Sequence, residues 1–392
     1  MNRLQEIQTW IEQAEPEMKK MRDYLFENPE LAYGEWKACA YVKALLASKG
    51  IEITMPYGGL DTAFHTHFKV GSPSCHIAIL AEYDALPEIG HACGHNLICT
   101  ASVYTYLLVK ELCERYQIDA EVSLIGTPAE ESGSGKVQLM KAGVFEGIDA
   151  AYMMHPTSGV TRIAGRCLAC ESLTIRYHGQ SAHASSRPHE GINALDAANL
   201  FFHAIGCLRQ QVTPDVRMQG IITQGGSVPN SIPDATEISY ILRSLDNQTM
   251  CTLEAKVKNC AAAGALATGC SFEFLVDDAC KAREFNTVLG DVCRNYVREL
   301  GEPCQDGFPD DSGSTDFGDV SAVMPTVNLY TSIHDVRISS HTERFAACTI
   351  SDKSMHALRV SVGAMTASIL DLCEQPKRMD DAKAEYAASH TN

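Results

Sequence analysis

Residues 75–96 read CHIAILAEYDALPEIGHACGHN, and the order of events within them decides the fold. An apolar run carries a β-strand to two acidic side chains, Glu82 and Asp84. A glycine-containing turn then holds Cys93 and His95 two positions apart, and a helix follows. Strand, acidic end, turn and helix form the repeating unit of α/β sheets, which collect their binding residues at the carboxyl ends of strands. In such a turn a thiol and an imidazole can converge on one ion. Gly94 lets the backbone bend tightly beside it, and Asn96 is expected to begin the helix as its N-cap.

Outward from this stretch the same alternation continues. Helical spacing of apolar positions predicts helices over about 3–26 and 35–49, while AEVSLIGTP and DAAYMMHP read as further strands. Near residue 170 the texture changes. ESLTIRYHG alternates as a half-buried strand does, GINALDAANLFFHAIGCLRQQ is an amphipathic helix, and MQGIITQGG and ATEISYILRSLD are strands. The helix QTMCTLEAKVKNCAAAGALATG and the strand SFEFLV complete an α+β unit. The expected architecture is therefore α/β, a mixed-sheet catalytic domain over 1–169 and 279–392 with an α+β domain inserted at 170–278. The tail DDAKAEYAASHTN reads as loosely packed.

Composition narrows the function. The chain has 392 residues, long enough for two domains, and its net charge of −17 disfavours nucleic acid and anionic membrane surfaces as partners. No apolar run is long enough to span a bilayer, and the first residues lack the apolar core of a signal peptide. The 16 cysteines suit a reducing cytoplasm, where they act as small core residues; Cys39, Cys75, Cys113, Cys207, Cys260, Cys293 and Cys348 fall in helix-like or strand-like runs. The one Cys-x-x-Cys, Cys167 and Cys170, has no second pair and predicts no structural zinc ribbon.

Metal-capable groups recur at strand ends. After Cys93 and His95, the next strand ends in GTPAEESGSGK with Glu130 and Glu131, the following one in His155, and SSHTERFA later supplies His341. A lone histidine is usually structural and a Glu-Glu pair usually a solvated turn. Their recurrence where successive strands end is what points to a site. A mixed thiolate, imidazole and carboxylate set suits zinc or a similar ion at a catalytic centre. Adjacent glutamates point in different directions, so one can bind metal while the other works as a general base.

AEYDALPE, HACGHN, GTPAEESGSGK, HGQSAHASSRP with GINALDA, GGSVPNSIPDATEISYILRS, GSTDFGDVS and SSHTERFA together resemble the motifs of the co-catalytic two-metal peptidase and amidohydrolase family. That family includes aminoacylases, carboxypeptidase G-type enzymes, p-aminobenzoyl-glutamate hydrolases, indole-acetyl-amino-acid hydrolases and β-alanyl-lysine type dipeptidases. The resemblance runs in order from about Asp23 to about Leu370. It implies two divalent ions, zinc foremost with manganese or cobalt as alternatives, held by Cys93, His95, Glu131, His155 and His341. It implies Glu130 as the general base and Asp84 as a supporting carboxylate. Where many relatives have His-x-Asp, this chain has Glu82-Tyr83-Asp84, which puts Glu82 in doubt as a ligand.

The inserted domain would be a lid and dimerisation domain. By the same resemblance His183 steadies the oxyanion, Asn230 and Arg243 contact substrate, and the loop with Gly313, Ser314 and Asp316 lines the pocket; a strand-surface Arg243 or a plain turn at Ser314 are the bland alternatives. His91 is expected to be a neighbour of the site. His65, His67, His76, His178, His189, His203, His334, His356 and His390 receive no role. The implied activity is hydrolysis of a small N-acyl amino acid, dipeptide or aminobenzoyl-glutamate-like amide by a cytoplasmic homodimer, or a hetero-oligomer. A deacetylase or carboxypeptidase with the same site is the nearest alternative, and a non-catalytic binding relative the remote one.

Overall fold

The computed structural model describes residues 2–389, which excludes His390 and the last residues of the tail. It divides into two units: one comprises the chain up to Arg166 with Arg283–Asp311 and the chain from Asp319, the other Cys167–Ala282 with Ser312–Gly318.

The first unit opens with helices α1 (Arg3–Glu27) and α2 (Trp36–Ser48), then strands β1 (Phe64–Val70) and β2 (His76–Ala81). Next come α3 (His95–Tyr116), β3 (Ala120–Gly126), α4 (Gly135–Lys141), β4 (Ala150–Thr157) and the short β5 (Arg162–Ile163). The second unit contributes β6 (Ala169–His178), α5 (Ala194–Leu208), β7 (Arg217–Gln224), β8 (Ala235–Ser244), α6 (Asn247–Thr268) and β9 (Ser271–Cys280). Then follow α7 (Thr287–Glu299), the short α8 (Phe317–Ser321), β10 (Thr326–Ser332), α9 (Glu343–Cys348), α10 (Asp352–Glu374) and α11 (Pro376–Ser389).

The sheet of the first unit has the order β1-β3-β2-β4-β10-β5. Its inner four strands are mutually parallel, with β1 and β5 pairing antiparallel at the edges. Parallel strands are covered on both faces and so read as continuous apolar runs; Ile77, Ala78, Ile79, Leu80 and Ala81 of β2 are all fully buried. Helix α3 is buried almost throughout its first four turns and packs on β2, β3 and β4. Because these strands run the same way, the residues that follow β2, β3 and β4 emerge at one end of the sheet. That shared end is where Glu82, Asp84, Glu130, Glu131 and His155 meet.

The sheet of the second unit is antiparallel throughout, in the order β7-β8-β6-β9. Strand β8 alternates buried with half-buried or exposed positions. Leu173, Ile175, Ile238, Tyr240 and Leu242 form a core with Phe201 of α5 and Leu253 and Val257 of α6. The fold class is as expected from sequence: a mixed-sheet α/β domain with an α+β insertion.

Three local expectations are corrected. Asn96 is not an N-cap. The cap lies two residues earlier, at the left-handed Gly94, so Asn96 lies inside the first turn of α3, fully buried, its side-chain amide donating to Thr349 Oγ1 at 3.3 Å. The tail is not loose as far as Ser389: α11 buries Met379 and Ala382, and Glu385 accepts backbone N–H groups of Thr287 and Val288 at the start of α7. A carboxylate at that helix start satisfies donors that no helical carbonyl can reach. Cys207 is exposed on α5 rather than in the core, and Cys260 and Cys348 are half-buried.

Candidate metal centre

Asp84 organises the centre. Its Oδ1 accepts a hydrogen bond from His95 Nδ1–H at 2.8 Å, and its Oδ2 accepts the backbone N–H of Glu131 at 2.9 Å. The first bond fixes the imidazole tautomer and aims Nε2 into the site; the second ties the loop after β3 to the loop after β2. His155 is fixed in the same way, its Nδ1–H donating to the carbonyl of Pro156 at 2.8 Å. Its Nε2 then stands 3.6 Å from Cys93 Sγ. His341 arrives on the loop after β10, held by its backbone N–H on Ala92 O at 2.9 Å, with Nε2 3.4 Å from Glu131 Oε2.

The donor atoms therefore cluster. Cys93, His95 and His155 bring one ligand atom each within 4.8 Å of one another, and so do Cys93, Glu131 and His341. A further set joins His95, Glu130 and Glu131. Cys93, His95 and Glu131 each belong to two of these groups, so the groups overlap in one cluster of donors. All five proposed ligands, with Glu130 and Asp84, are thus brought together within the first unit.

The donor set fits a metal. His95 Nε2 and Glu131 Oε1 are buried and have no hydrogen-bond partner among the described residues, an expensive arrangement for polar atoms unless a ligand satisfies them. The charges agree. Burial, despite the opposing pull of Glu82, leaves His155 well below its usual value, at about 4, so its ring is neutral and able to donate a lone pair. Burial works against ionisation of Glu131, but His341 and His95 overcome it and hold this carboxylate below its ordinary range. Asp84 is held down by His95 in the same way against its own burial. Burial would lower His95, yet Asp84 keeps it well above an ordinary imidazole.

Gly94 is needed at this point for two reasons. Its φ is +84°, in the left-handed region, and a Cβ there would lie 2.4 Å from Pro156 Cγ, next to His155. Gly94→Ala is expected to destabilise the fold by about 1–2 kcal/mol or more and to loosen metal binding. Urea unfolding with a metal titration checks this, and a variant matching wild type in both would show that the loop needs no glycine.

The sequence alone gave no role to three residues around the centre. Lys136, at the start of α4 and fully buried, places Nζ 2.6 Å from Glu82 Oε1. Glu35, also buried, accepts the N–H groups of Tyr33 and Ala129 on Oε1 and the Thr62 hydroxyl on Oε2. Ala129 has a φ of +61°, so Glu35 braces a strained backbone just before Glu130. Tyr33 adds a hydroxyl bond to Gly133 O at 2.6 Å. Lys136 had one signal, a lone cation five positions beyond the acidic pair; Glu35 had none, because its partners are distant in sequence. His91 is buried beside the centre but belongs to none of its donor groups, and burial pushes it down to about 3.

The other proposed residues lie in the second unit. His183 is exposed, and its Nδ1 accepts the N–H groups of Ser185 and Ser186, which leaves Nε2 facing outward. Its loop is bridged to that of Asn230 by the Ala184 N–H on Asn230 O and by a His183–Ser231 pairing. Arg243 donates to Ser314 Oγ at 2.9 Å, and Asp316 is buried.

A family model described as the M20 peptidase dimerisation domain matches residues 171–268. The Xaa-Arg dipeptidase of Mus musculus is 34% identical over 399 residues, covering 96% of this chain and 90% of that protein. A p-aminobenzoyl-glutamate hydrolase chain of Escherichia coli K12 is 30% identical, over 76% of this chain and 66% of that one. Among solved structures, a dinuclear metal-binding peptidase of the M20 family from Bacillus subtilis matches with a TM-score of 0.73 over 93% of this chain and 99% of that chain; at 21% identity this shows the fold. A relative this similar across nearly its whole length, together with the donor groups at one sheet end, means that the chain belongs to the M20 metallopeptidases, hydrolases of amide bonds.

Proposed function

We propose that this protein is a two-metal dipeptidase or amidohydrolase that cleaves small substrates ending in a free carboxylate: dipeptides first, then N-acyl amino acids and p-aminobenzoyl-glutamate-like amides. The observation that carries the reading is the set of overlapping donor groups at one end of the sheet, Cys93 with His95 and His155 and Cys93 with Glu131 and His341, which together offer more donors than one ion needs. Bound divalent ions, zinc foremost, would polarise the substrate carbonyl and acidify a water. Glu130 takes the proton of the attacking water and passes it to the departing amine nitrogen. Asp84 keeps His95 in the tautomer that presents Nε2.

In the inserted unit, His183 has its outward Nε2 available to steady the oxyanion. Arg243, beside Ser314, offers a guanidinium to the substrate carboxylate, while Asn230 and Asp316 shape the pocket. The matched dimerisation domain supports a homodimer, as do the exposed apolar side chains Ile221 on edge strand β7 and Leu275 and Val276 on edge strand β9. The 16 cysteines are all free, which suits the cytoplasm. No helix among the described residues is long and apolar enough to cross a membrane.

The test is amide hydrolysis by protein stripped of metal and reloaded with zinc, manganese or cobalt, against Xaa-Arg and other dipeptides, N-acetyl amino acids and p-aminobenzoyl-glutamate. Metal-dependent release of an amino acid is the expected result, with a dipeptide as the best substrate. Faster turnover of an N-acetyl amino acid would move the assignment to a deacetylase. No turnover by fully loaded protein would overturn the reading.

A further inference from the structure

Three histidines to which the sequence gives no role lie together on one face of the first unit's sheet. His65 and His67 alternate along β1 and so share that face, and His76 opens β2. Strand β3 runs between β1 and β2 and puts Ser123 at the middle of the group. His65 Nε2 lies 3.0 Å and His76 Nε2 2.8 Å from Ser123 Oγ. His67 stands directly opposite Ser123 in the β1–β3 pairing and stacks on His65 with ring centres 5.6 Å apart. Ser123 is fully buried, His65 and His76 are half-buried, and His67 is exposed. The hydroxyl is thus the floor of the group and His67 its open side.

A hydroxyl has one proton to give, so Ser123 can donate to only one of the two ring nitrogens, and the other ring must bring its own N–H. That arrangement suits uncharged imidazoles. Burial, helped by His67 and His76, holds His65 down at about 4, and burial also lowers His76 in spite of Glu121 and Asp149. Glu121, on the next rung of β3, accepts Lys69 Nζ at 2.9 Å. Each neutral ring keeps a lone pair, and imidazole sets suit zinc, nickel and copper ions.

We propose that His65, His67 and His76 form a further metal site, taking one zinc-like divalent ion through three imidazoles above the Ser123 hydroxyl. None of the three belongs to a donor group of the metal centre. Ser123 lies level with Ala78 of β2, four residues before Glu82, or roughly 13 Å of strand. The two sites are therefore separate, and this one does not depend on the two-metal reading. Its rings are not drawn together as closely as the donors of the centre; the exposed His67 is the ring that turns to close the set. An ion held there ties β1 to β2, which do not pair with each other, across β3, and stabilises the folded chain as any ligand of the native state does.

The test is zinc uptake by metal-stripped full-length protein, measured by equilibrium dialysis at micromolar free zinc and pH 8 with a non-thiol reductant. His67→Ala is expected to bind one ion fewer than wild type, and His67→Ala in a Cys93→Ala background one fewer than Cys93→Ala alone. Zinc should raise the thermal midpoint of Cys93→Ala protein, and raise it less once His67 is also replaced. Equal uptake with and without His67 in either background overturns the proposal. Because His67 is exposed, its loss leaves the core untouched. Folded His65→Ala or His76→Ala protein that takes up as much zinc as wild type also overturns the three-ring site. Ions lost only on replacing Cys93 support the metal centre and overturn this site; ions lost only on replacing the histidines support this site and count against the centre.

Discussion

Glu130→Gln leaves the protein folded and loaded with metal but lowers kcat by about 10²–10⁴-fold, the contribution of a positioned general base. The two glutamates after β3 are adjacent yet differently employed. Glu131 has its backbone N–H on Asp84 Oδ2, one carboxylate oxygen 3.4 Å from His341 Nε2 and the other 3.8 Å from His95 Nε2. That commits its carboxylate to the donor groups. Glu130 keeps Oε2 3.9 Å from His95 Nε2, near enough to serve chemistry at the same point. Glutamine preserves shape while removing the ability to take up a proton. Steady-state kinetics beside metal analysis of the same sample separates the outcomes. Unimpaired turnover sinks the base assignment, and turnover lost together with metal makes Glu130 a ligand.

Cys93→Ala has the other large effect, and it falls on binding. Because Cys93 belongs to both the His95–His155 and the Glu131–His341 groups, its loss should weaken both ion positions. Zinc affinity is expected to fall by more than about 100-fold, beyond the 10–100-fold typical when only a residue supporting a ligand is lost. Asp84→Asn provides that comparison. The amide can still bond His95 but no longer fixes its tautomer or compensates its charge, so a loss within about 10–100-fold is expected. Chelator competition on both variants tests the order. A smaller loss in Cys93→Ala than in Asp84→Asn would remove the thiol from the ligand set.

How much of this was legible beforehand differs from residue to residue. The β2 strand, the glycine turn and the helix behind it could be read because their signals are local: an apolar run, a residue free to take positive φ, and a helical period. The recurrence of acidic or imidazole groups after each apolar strand could also be read, since parallel strands bring their carboxyl ends to one side whatever the loops do. Asn96 does not cap its helix because Gly94, two residues earlier, takes the capping position in a conformation that needs no side-chain cap. The tail was misread because the charges that look solvated in sequence find partners far along the chain, Lys383 on Asp149 and Glu385 at the start of α7.

By itself, then, the sequence determined the α/β alternation, the inserted α+β unit and the chemical kinds of donor that collect at the strand ends. Periodicity and residue chemistry are properties of neighbouring positions, and they survive without knowledge of the fold. Only the tertiary structure decided which donor atoms share an ion, that Asp84 orients both His95 and the Glu131 backbone, and that Glu35 braces the loop before Glu130. It alone paired Glu82 with Lys136. Such contacts join residues tens of positions apart, and a separation of a few ångströms between them is set by how strands and helices pack.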